Sequence, residues 1–188
     1  MPLTTGETVW TIGHSNRSLE EFQSLLSENR IELLVDIRRS PSSRRVPWTN
    51  AKSLEVSLSS AGIGYIHCVD LGGFRKPRGD SRNKAWRSLG FRGYADHMET
   101  AAFQKALNEL LANAVSMRTV VMCAEAQPRR CHRSLLSDAL VSRGARVLHI
   151  LGPGRTEEHR LARFAKVQDG RVTYPAPSGA KGLKPGRG

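Results

Sequence analysis

The chain has 188 residues, 39% of them hydrophobic and 24% charged, so a single domain with a substantial apolar core is expected. Lys and Arg outnumber Asp and Glu by 29 to 17, and the net charge of +12 favours an anionic partner such as nucleic acid. No apolar run approaches the ~20 residues of a membrane-spanning helix, so no membrane association is expected. Three cysteines and no secretory signal pattern favour a reduced, cytoplasmic protein.

Apolar strand-like runs alternate with helical patterns along the first 150 residues. Strands are predicted at 8–13, 31–37, 65–71, 119–123 and 146–151. Helices are predicted after the capping box Ser18-Leu-Glu-Glu21, at 50–62, at 93–99, after Thr100 and at 131–143. This order predicts an α/β fold with a single, doubly wound, mostly parallel five-stranded sheet and helices on both faces.

The pattern changes towards the C-terminus. Residues 1–155 are expected to form the α/β domain, followed by a short C-terminal extension at 156–174. Asp169-Gly170 within the extension is a hairpin signal. Residues 175–188 are rich in Gly, Pro and Lys, which predicts a disordered basic tail.

Reactive and charged side chains follow several of the predicted strands. In open α/β sheets, ligands bind beyond the carboxyl ends of the strands, so these residues are candidates for one site. They are His14, Ser15, Asn16, Asp36, Arg38, Arg39, Asp70, Cys123, Glu125, Cys131, His132 and Arg133.

Two carboxylates in this set are candidates for acid–base chemistry. Glu125 or Asp36 would activate water, and His14 or His132 would assist as the acid. The alternative for Asp36 is a structural pair with a nearby arginine such as Arg38, because strand alternation sends both side chains to the same side. The alternative for Glu125 is that it neutralises a basic loop.

Cys123 is a candidate nucleophile. Together with Arg129 it matches the Cys-x5-Arg spacing of Cys-dependent phosphatases and rhodanese-like sulfurtransferases. Glu125 would repel an anion in that loop, and Pro128 lacks an N–H for an anion cradle. The alternative is a small buried core residue at a strand end.

Cys123, Cys131 and His132 also raise the question of a metal. Their spacing matches no structural zinc pattern, so no cofactor is predicted and a metal ion stays open as an alternative.

Two loops at 38–52 and 75–92 carry much of the positive charge. Basic residues interleaved with Trp48 and Trp86 suit phosphate contacts and base stacking. The alternative is that both tryptophans cover the edge of the core. The predicted substrate-binding residues are Ser15, Arg38, Arg39, Arg130, Arg133, Trp48, Trp86 and Arg92.

Several motifs together resemble the bacterial and archaeal domain of unknown function family 488. They are Thr11-Ile-Gly-His-Ser15, Leu34-Val-Asp-Ile-Arg38, Leu71-Gly-Gly73, Gly90-Phe-Arg-Gly-Tyr94, Met122-Cys-Ala-Glu125 and Arg130-Cys-His-Arg133. The resemblance covers about residues 9–150 and implies a compact α/β domain, but no settled reaction. It implies one site made of His14, Asp36, Arg38, Cys123, Glu125, Cys131, His132 and Arg133, with Arg130 as the family's arginine before Cys-His.

The leading hypothesis is a cytoplasmic enzyme that hydrolyses a glycosidic or phosphodiester bond in nucleic acid, DNA ahead of RNA, in repair or processing. One alternative is Cys-dependent phosphoryl or sulfur transfer through Cys123. The other is a non-catalytic nucleic-acid-binding module.

Overall fold

Residues 6–176 of the chain are described by the computed structural model, in which strands and helices alternate. The strands are β1 Thr8–Gly13, β2 Leu33–Asp36, β3 Gly64–His67, β4 Thr119–Cys123, β5 Arg146–Gly152, β6 Arg155–Glu158, β7 Lys166–Gln168 and β8 Arg171–Thr173. The helices are α1 Leu19–Glu28, α2 Ala51–Ser60, α3 Leu89–Met98, α4 Ala101–Ser116 and α5 Arg133–Ser142. Short 3-10 turns lie in the loops after β2, β3 and β4, at Pro47–Thr49, Val69–Leu71 and Pro128–Arg130.

The main sheet has six strands rather than the predicted five. Its order is β3-β2-β4-β1-β5-β6, with the first five strands parallel and β6 antiparallel to β5. β6 gives no strand signal in the sequence, because its four residues, RTEE, are all exposed and show no apolar alternation. The strand forms because the Pro153-Gly154 turn returns the chain along the edge of β5.

β2 and β4 lie inside the sheet, and every residue of both strands is buried. This burial explains their continuous apolar sequences, because strands covered on both faces need apolar side chains on both. Alternate residues supply two separate cores. Val35 and Val121 pack with α3, α4 and α5, whereas Leu34 and Val120 pack with α1 and α2.

Side-chain caps fix where three of the helices begin. Ser18 accepts a hydrogen bond from the backbone N–H of Glu21, and Thr100 accepts one from Phe103 in the same way. Ser88 caps α3, which begins at Leu89 and therefore earlier than the predicted 93–99. Among residues 6–176, no helix is both long and apolar enough to cross a bilayer.

The predicted strand at 65–71 is too long. β3 pairs only with β2 and ends at His67, after which the chain enters a 3-10 turn. β3 is an edge strand with a largely exposed surface, so its apolar residues do not extend the pairing.

The C-terminal segment packs onto the α/β core. β7 and β8 form an antiparallel hairpin that turns at Asp169-Gly170. Behind the hairpin, Tyr174 is fully buried and donates a hydrogen bond to Asp138 of α5 at 2.8 Å. The predicted disordered tail at 175–188 lies outside the described residues from 177 onwards.

Candidate functional site

The carboxyl ends of β1 and β4 are the natural place for a ligand in this sheet. The two strands are neighbours, and the helices that follow them, α1 and α5, belong to the two different cores. A crevice forms at such a point in open α/β sheets. Here the chain partly closes it, because His14 and Ser15 donate backbone hydrogen bonds to the carbonyls of Cys123 and Ala124 at 3.0 and 2.9 Å.

Three glycines allow the loops at this edge to approach closely. A Cβ on Gly13 would lie 1.9 Å from the carbonyl oxygen of Glu125. A Cβ on Gly72 would lie 3.1 Å from the carbonyl oxygen of Ile37, and one on Gly73 would lie 2.7 Å from a ring nitrogen of His132. The glycines of the sequence motifs therefore serve close packing of loops.

Most of the reactive residues at this edge fall into two clusters. The Asp36 cluster combines the predicted His14, Asp36 and Arg38 with Thr49 and Tyr65, which the sequence did not predict as site residues. The Cys123 cluster is Cys123, Cys131, His132 and Arg133. Asp36 pairs with Met122 in the sheet register, so it shares a face with Met122, and the next residue of β4, Cys123, points to the opposite face.

Asp36 is fully occupied by structural hydrogen bonds. Its carboxylate is 0% exposed and accepts bonds from the guanidinium of Arg38 at 2.6 to 3.1 Å and from the Tyr65 hydroxyl at 3.0 Å. Arg38 also donates to the carbonyl of Thr49 at 2.7 Å, which holds the loop before α2. This geometry supports the structural alternative for Asp36, and it leaves no oxygen free to act as a base.

His14 belongs to the same cluster and is 5% exposed. Its Nδ1 donates to the carbonyl of Ser15 at 2.9 Å, and its Nε2 lies 3.4 Å from the guanidinium of Arg38. Burial lowers the pKa of His14 below its usual value, and the charge of Arg38 acts in the same direction. A neutral His14 with its Nε2 lone pair towards Arg38 is placed to orient the arginine rather than to donate a proton.

The Cys123 cluster is built around two close sulfurs. Cys123 and Cys131 are 3% and 6% exposed, and their Sγ atoms are 2.6 Å apart. The Cys131 thiol donates to Cys123, so the pKa of Cys123 falls to about 7; burial opposes this shift and the charge of Arg133 adds to it. For the same reason the pKa of Cys131 is raised, and Cys131 keeps its proton.

Arg133 and His132 complete this cluster, and each carries buried polar atoms without a hydrogen-bond partner in the described part of the chain. Arg133 is 1% exposed and donates through Nη2 to the carbonyls of Glu125 and Ala126. Its Nε and Nη1 and the His132 Nε2 are buried without a hydrogen-bond partner among the described residues. Burial and the charge of Arg133 lower the pKa of His132 to about 4, so it is neutral at pH 7.

Glu125 is half-buried in the loop after β4. Its Oε1 accepts a hydrogen bond from the backbone N–H of Gln127 at 3.2 Å, and Arg133 holds its backbone carbonyl at 3.0 Å. Within the described residues, its second carboxylate oxygen accepts no hydrogen bond. Of the two predicted carboxylates, Glu125 is therefore the one with an oxygen available for chemistry.

The arginines of the β4–α5 loop differ from the Cys-x5-Arg expectation. The side chain of Arg129 is 87% exposed and pairs with Glu157 at 3.3 Å, so it forms no cradle at Cys123. Arg130 is also exposed. The buried arginine beside the thiol is Arg133 instead, in the first turn of α5.

The basic loops meet at the same edge of the sheet. The guanidinium of Arg39 donates to the carbonyl of Phe74 at 2.9 Å, which joins the loop after β2 to the loop after β3. Phe74 itself is 85% exposed and has a left-handed backbone, with φ of 57°. The loops after β2 and β3 and the start of α2 carry exposed cations that have no carboxylate partner among residues 6–176. We term this set the basic rim: Arg39, Arg44, Arg45, Lys52, Lys76, Lys84 and Arg87.

The two predicted stacking tryptophans are packed in the protein. Trp48 contacts the ring of Phe22 at a centroid distance of 5.1 Å and donates to the carbonyl of Arg17. Trp86 is surrounded by the rings of Phe91, Phe164 and Tyr174. The geometry of both residues supports the alternative that they cover the core. Arg92, another predicted substrate-binding residue, donates to the Trp86 carbonyl at 2.9 Å.

The sequence analysis missed a buried polar chain behind the site. Thr11 bonds His149 at 2.7 Å, His149 bonds His159 at 3.0 Å, and His159 bonds Asp138 at 2.8 Å. His149 and His159 also line a cavity of about 700 Å³ between the β4–α5 loop and β6. No spacing signal could have found this chain, because its members come from four separate segments. Both ring nitrogens of each histidine are already engaged, so the chain is structural.

Among residues 6–176, no group of three or more His, Cys, Asp or Glu side chains is arranged to hold a metal ion.

Comparison with curated proteins and with solved structures finds no match. A family model described as "Domain of unknown function DUF488" matches residues 18–140. The match includes Asp36, Glu125, Phe74 and the whole Cys123 cluster, whereas His14 and Ser15 lie before it. The chain therefore belongs to the DUF488 family.

Proposed function

We propose that this protein binds nucleic acid along the basic rim and hydrolyses a glycosidic or phosphodiester bond in it, with Glu125 as the general base. The observation that carries the proposal is the exposed Phe74, whose backbone carbonyl Arg39 binds, in loops whose exposed cations have no carboxylate partner among residues 6–176. Such an arrangement suits backbone phosphates and an unstacked base, which an aromatic ring can stabilise by about 1–3 kcal/mol.

Glu125 is assigned the base because its loop is held while one of its oxygens is free. Arg133 fixes the backbone carbonyl of Glu125, and Gln127 holds the first carboxylate oxygen. The second oxygen is then available to take a proton from water. Asp36, Arg38 and His14 act as positioning residues in this proposal, because their polar atoms are engaged with one another.

The proposal replaces Trp48 and Trp86 with Phe74 as the stacking residue. Phe74 follows Gly72-Gly73, whose close approach to the Ile37 carbonyl and the His132 ring places the next residue beyond the sheet edge. Phosphoryl transfer by Cys123 is not proposed, since Arg129, the arginine at the Cys-x5-Arg position, is solvent-exposed, pairs with Glu157 and forms no phosphate cradle at the thiol.

Product analysis on a labelled panel of duplex, single-stranded and damaged-base DNA and of RNA tests the reaction. Wild type should release a base or break a strand on one substrate class. Glu125→Gln keeps an oxygen for the Gln127 N–H and should lower the rate by about 100-fold or more. Glu109→Gln, an exposed change on α4, is the matched control and should be fully active.

The same panel tests the binding arm. Phe74→Ala should weaken binding of single-stranded substrate by about 1–3 kcal/mol without changing the fold, because the side chain is 85% exposed. Absence of product on every substrate would refute the hydrolase. Tight binding without product would identify a non-catalytic module instead.

A further inference from the structure

The two sulfurs of the Cys123 cluster serve no role in the proposed hydrolysis, yet they are placed for chemistry of their own. They are 2.6 Å apart, roughly half an ångström longer than a disulfide bond of about 2.05 Å. Only the seven residues 124–130 separate the two cysteines in the sequence. The end of β4 and the turn before α5 therefore hold a dithiol whose two sulfurs need little movement to bond.

We propose that Cys123 and Cys131 are a redox-active dithiol that a hydroperoxide closes to a reversible disulfide. Nothing in this inference depends on nucleic-acid hydrolysis. The surroundings assign different roles to the two sulfurs, since Cys131 donates its S–H to Cys123 and the backbone N–H of Arg133 donates to Cys131 at 3.4 Å.

Cys123 is the attacking sulfur. The hydrogen bond from Cys131 and the charge of Arg133 favour its thiolate against the opposing effect of burial. Arg133 is buried with two guanidinium nitrogens free of protein partners, so its charge is not neutralised by a carboxylate of the described residues. A thiolate at Cys123 supplies the missing negative charge.

The reaction balances in two steps. The Cys123 thiolate attacks the terminal OH oxygen of the hydroperoxide, the O–O bond breaks, and a sulfenic acid forms on Cys123, while hydroxide leaves from hydrogen peroxide or an alkoxide from an organic hydroperoxide. The Cys131 sulfur then attacks the sulfenyl sulfur, the S–S bond forms, and the sulfenic oxygen leaves as water after taking a proton. For hydrogen peroxide, two thiols and one peroxide give one disulfide and two water molecules. A dithiol reductant reverses the modification.

Hydrogen peroxide treatment of the whole chain, followed by intact mass and peptide mapping, tests the proposal. Wild type should lose two hydrogen atoms, regain them with dithiothreitol, and give a tryptic cross-link between peptides 119–129 and 131–133. Cys68→Ser is the matched control, because Cys68 is half-buried and contacts no other sulfur among the described residues. It should form the same cross-link.

Cys131→Ser removes the resolving sulfur and should let a dimedone adduct accumulate on Cys123 without the cross-link. A chain that retains three free thiols after peroxide treatment would overturn the proposal. A cross-link through Cys68 would overturn it equally. Because both outcomes are read on wild type, the test does not depend on the folding of any variant.

Discussion

Single residues at the sheet edge mostly hold one another in place. Asp36, Arg38 and Tyr65 form a set of charge-assisted hydrogen bonds in which Asp36 and Arg38 are buried and Tyr65 is half-buried. Partial burial together with the adjacent Asp36 charge raises the pKa of Tyr65. A buried ion pair of this kind contributes little when intact, but breaking it leaves an uncompensated charge.

Asp36→Asn should therefore be strongly destabilising. It leaves the Arg38 guanidinium buried without its anion, and we expect a loss of about 3–5 kcal/mol in the free energy of unfolding. Urea denaturation measures the change. Asp70→Asn, at an exposed aspartate after β3, is the control and should stay within about 0.5 kcal/mol of wild type. A loss below about 1 kcal/mol for Asp36→Asn would contradict the structural role.

His132 predicts a specific acid sensitivity. Its folded-state pKa of about 4 lies below the unfolded value of about 6.5, so the unfolded chain binds a proton that the folded chain does not. Stability from this group is present above pH ~6.5 and is lost as the pH falls towards ~4.

His132→Asn should remove about one proton from the uptake on unfolding near pH 5. The measurement is the slope of unfolding free energy against pH for the variant and wild type. Identical slopes between pH ~4 and ~6.5 would show that His132 is not buried as a neutral group.

At the scale of elements, the strands whose bounds can be predicted from the sequence are those that are buried in the sheet. The predicted bounds of β1 and β4 match the observed ones, because both strands are almost wholly buried and rich in apolar residues. The predicted strand at 31–37 is longer than β2, Leu33–Asp36, because the apolar run continues beyond the paired residues. The Ser18 capping box placed the start of α1 for an equally local reason. β6 and β3 lie at the edges of the sheet, where exposed residues do not show the apolar pattern of a buried strand. The bounds of β6 and the end of β3 therefore depend on pairing with the neighbouring strand.

The extended contact between the ends of β1 and β4 gives an element-scale prediction. In Gly13→Ala, the new Cβ would meet the Glu125 carbonyl, and we expect a loss of about 1–3 kcal/mol of stability. Gly152→Ala is a matched control, because a Cβ on Gly152 in β5 meets nothing within 4 Å. Thermal unfolding of both variants decides the point: equal stabilities would mean that the Glu125 loop does not pack against β1 as described.

At the scale of the whole molecule, the sequence predicts that the reactive residues lie at one edge of the sheet, because the carboxyl ends of parallel strands meet there. It does not predict that they form two separate clusters. Their division into two clusters depends on the register that aligns Asp36 with Met122 and leaves Cys123 on the other face. Register between strands far apart in sequence is set by packing, so no local pattern could reveal it. Phe74 is not predicted as a stacking residue for a similar reason. Its exposure is visible only in the structure, and a phenylalanine in a sequence is more often a core residue than a surface residue.

The net charge of +12 supports nucleic-acid binding only where exposed cations lie together without carboxylate partners. Arg78 and Arg82 of the second basic loop pair with two carboxylates, Asp80 and Glu99, so together they add little to an anion site. The basic rim has no such partners in the described part of the chain. The proposed nucleic-acid binding therefore depends on the basic rim.

The most direct test is the salt dependence of single-stranded DNA binding, measured by fluorescence anisotropy. Arg44→Gln/Arg45→Gln removes two rim charges, and Lys105→Gln/Arg171→Gln removes two exposed charges from α4 and β8. We predict that the rim variant binds more weakly and that its slope of log affinity against log salt falls by about 1.4, while the control matches wild type. Equal affinities and slopes for the two double variants would contradict the account.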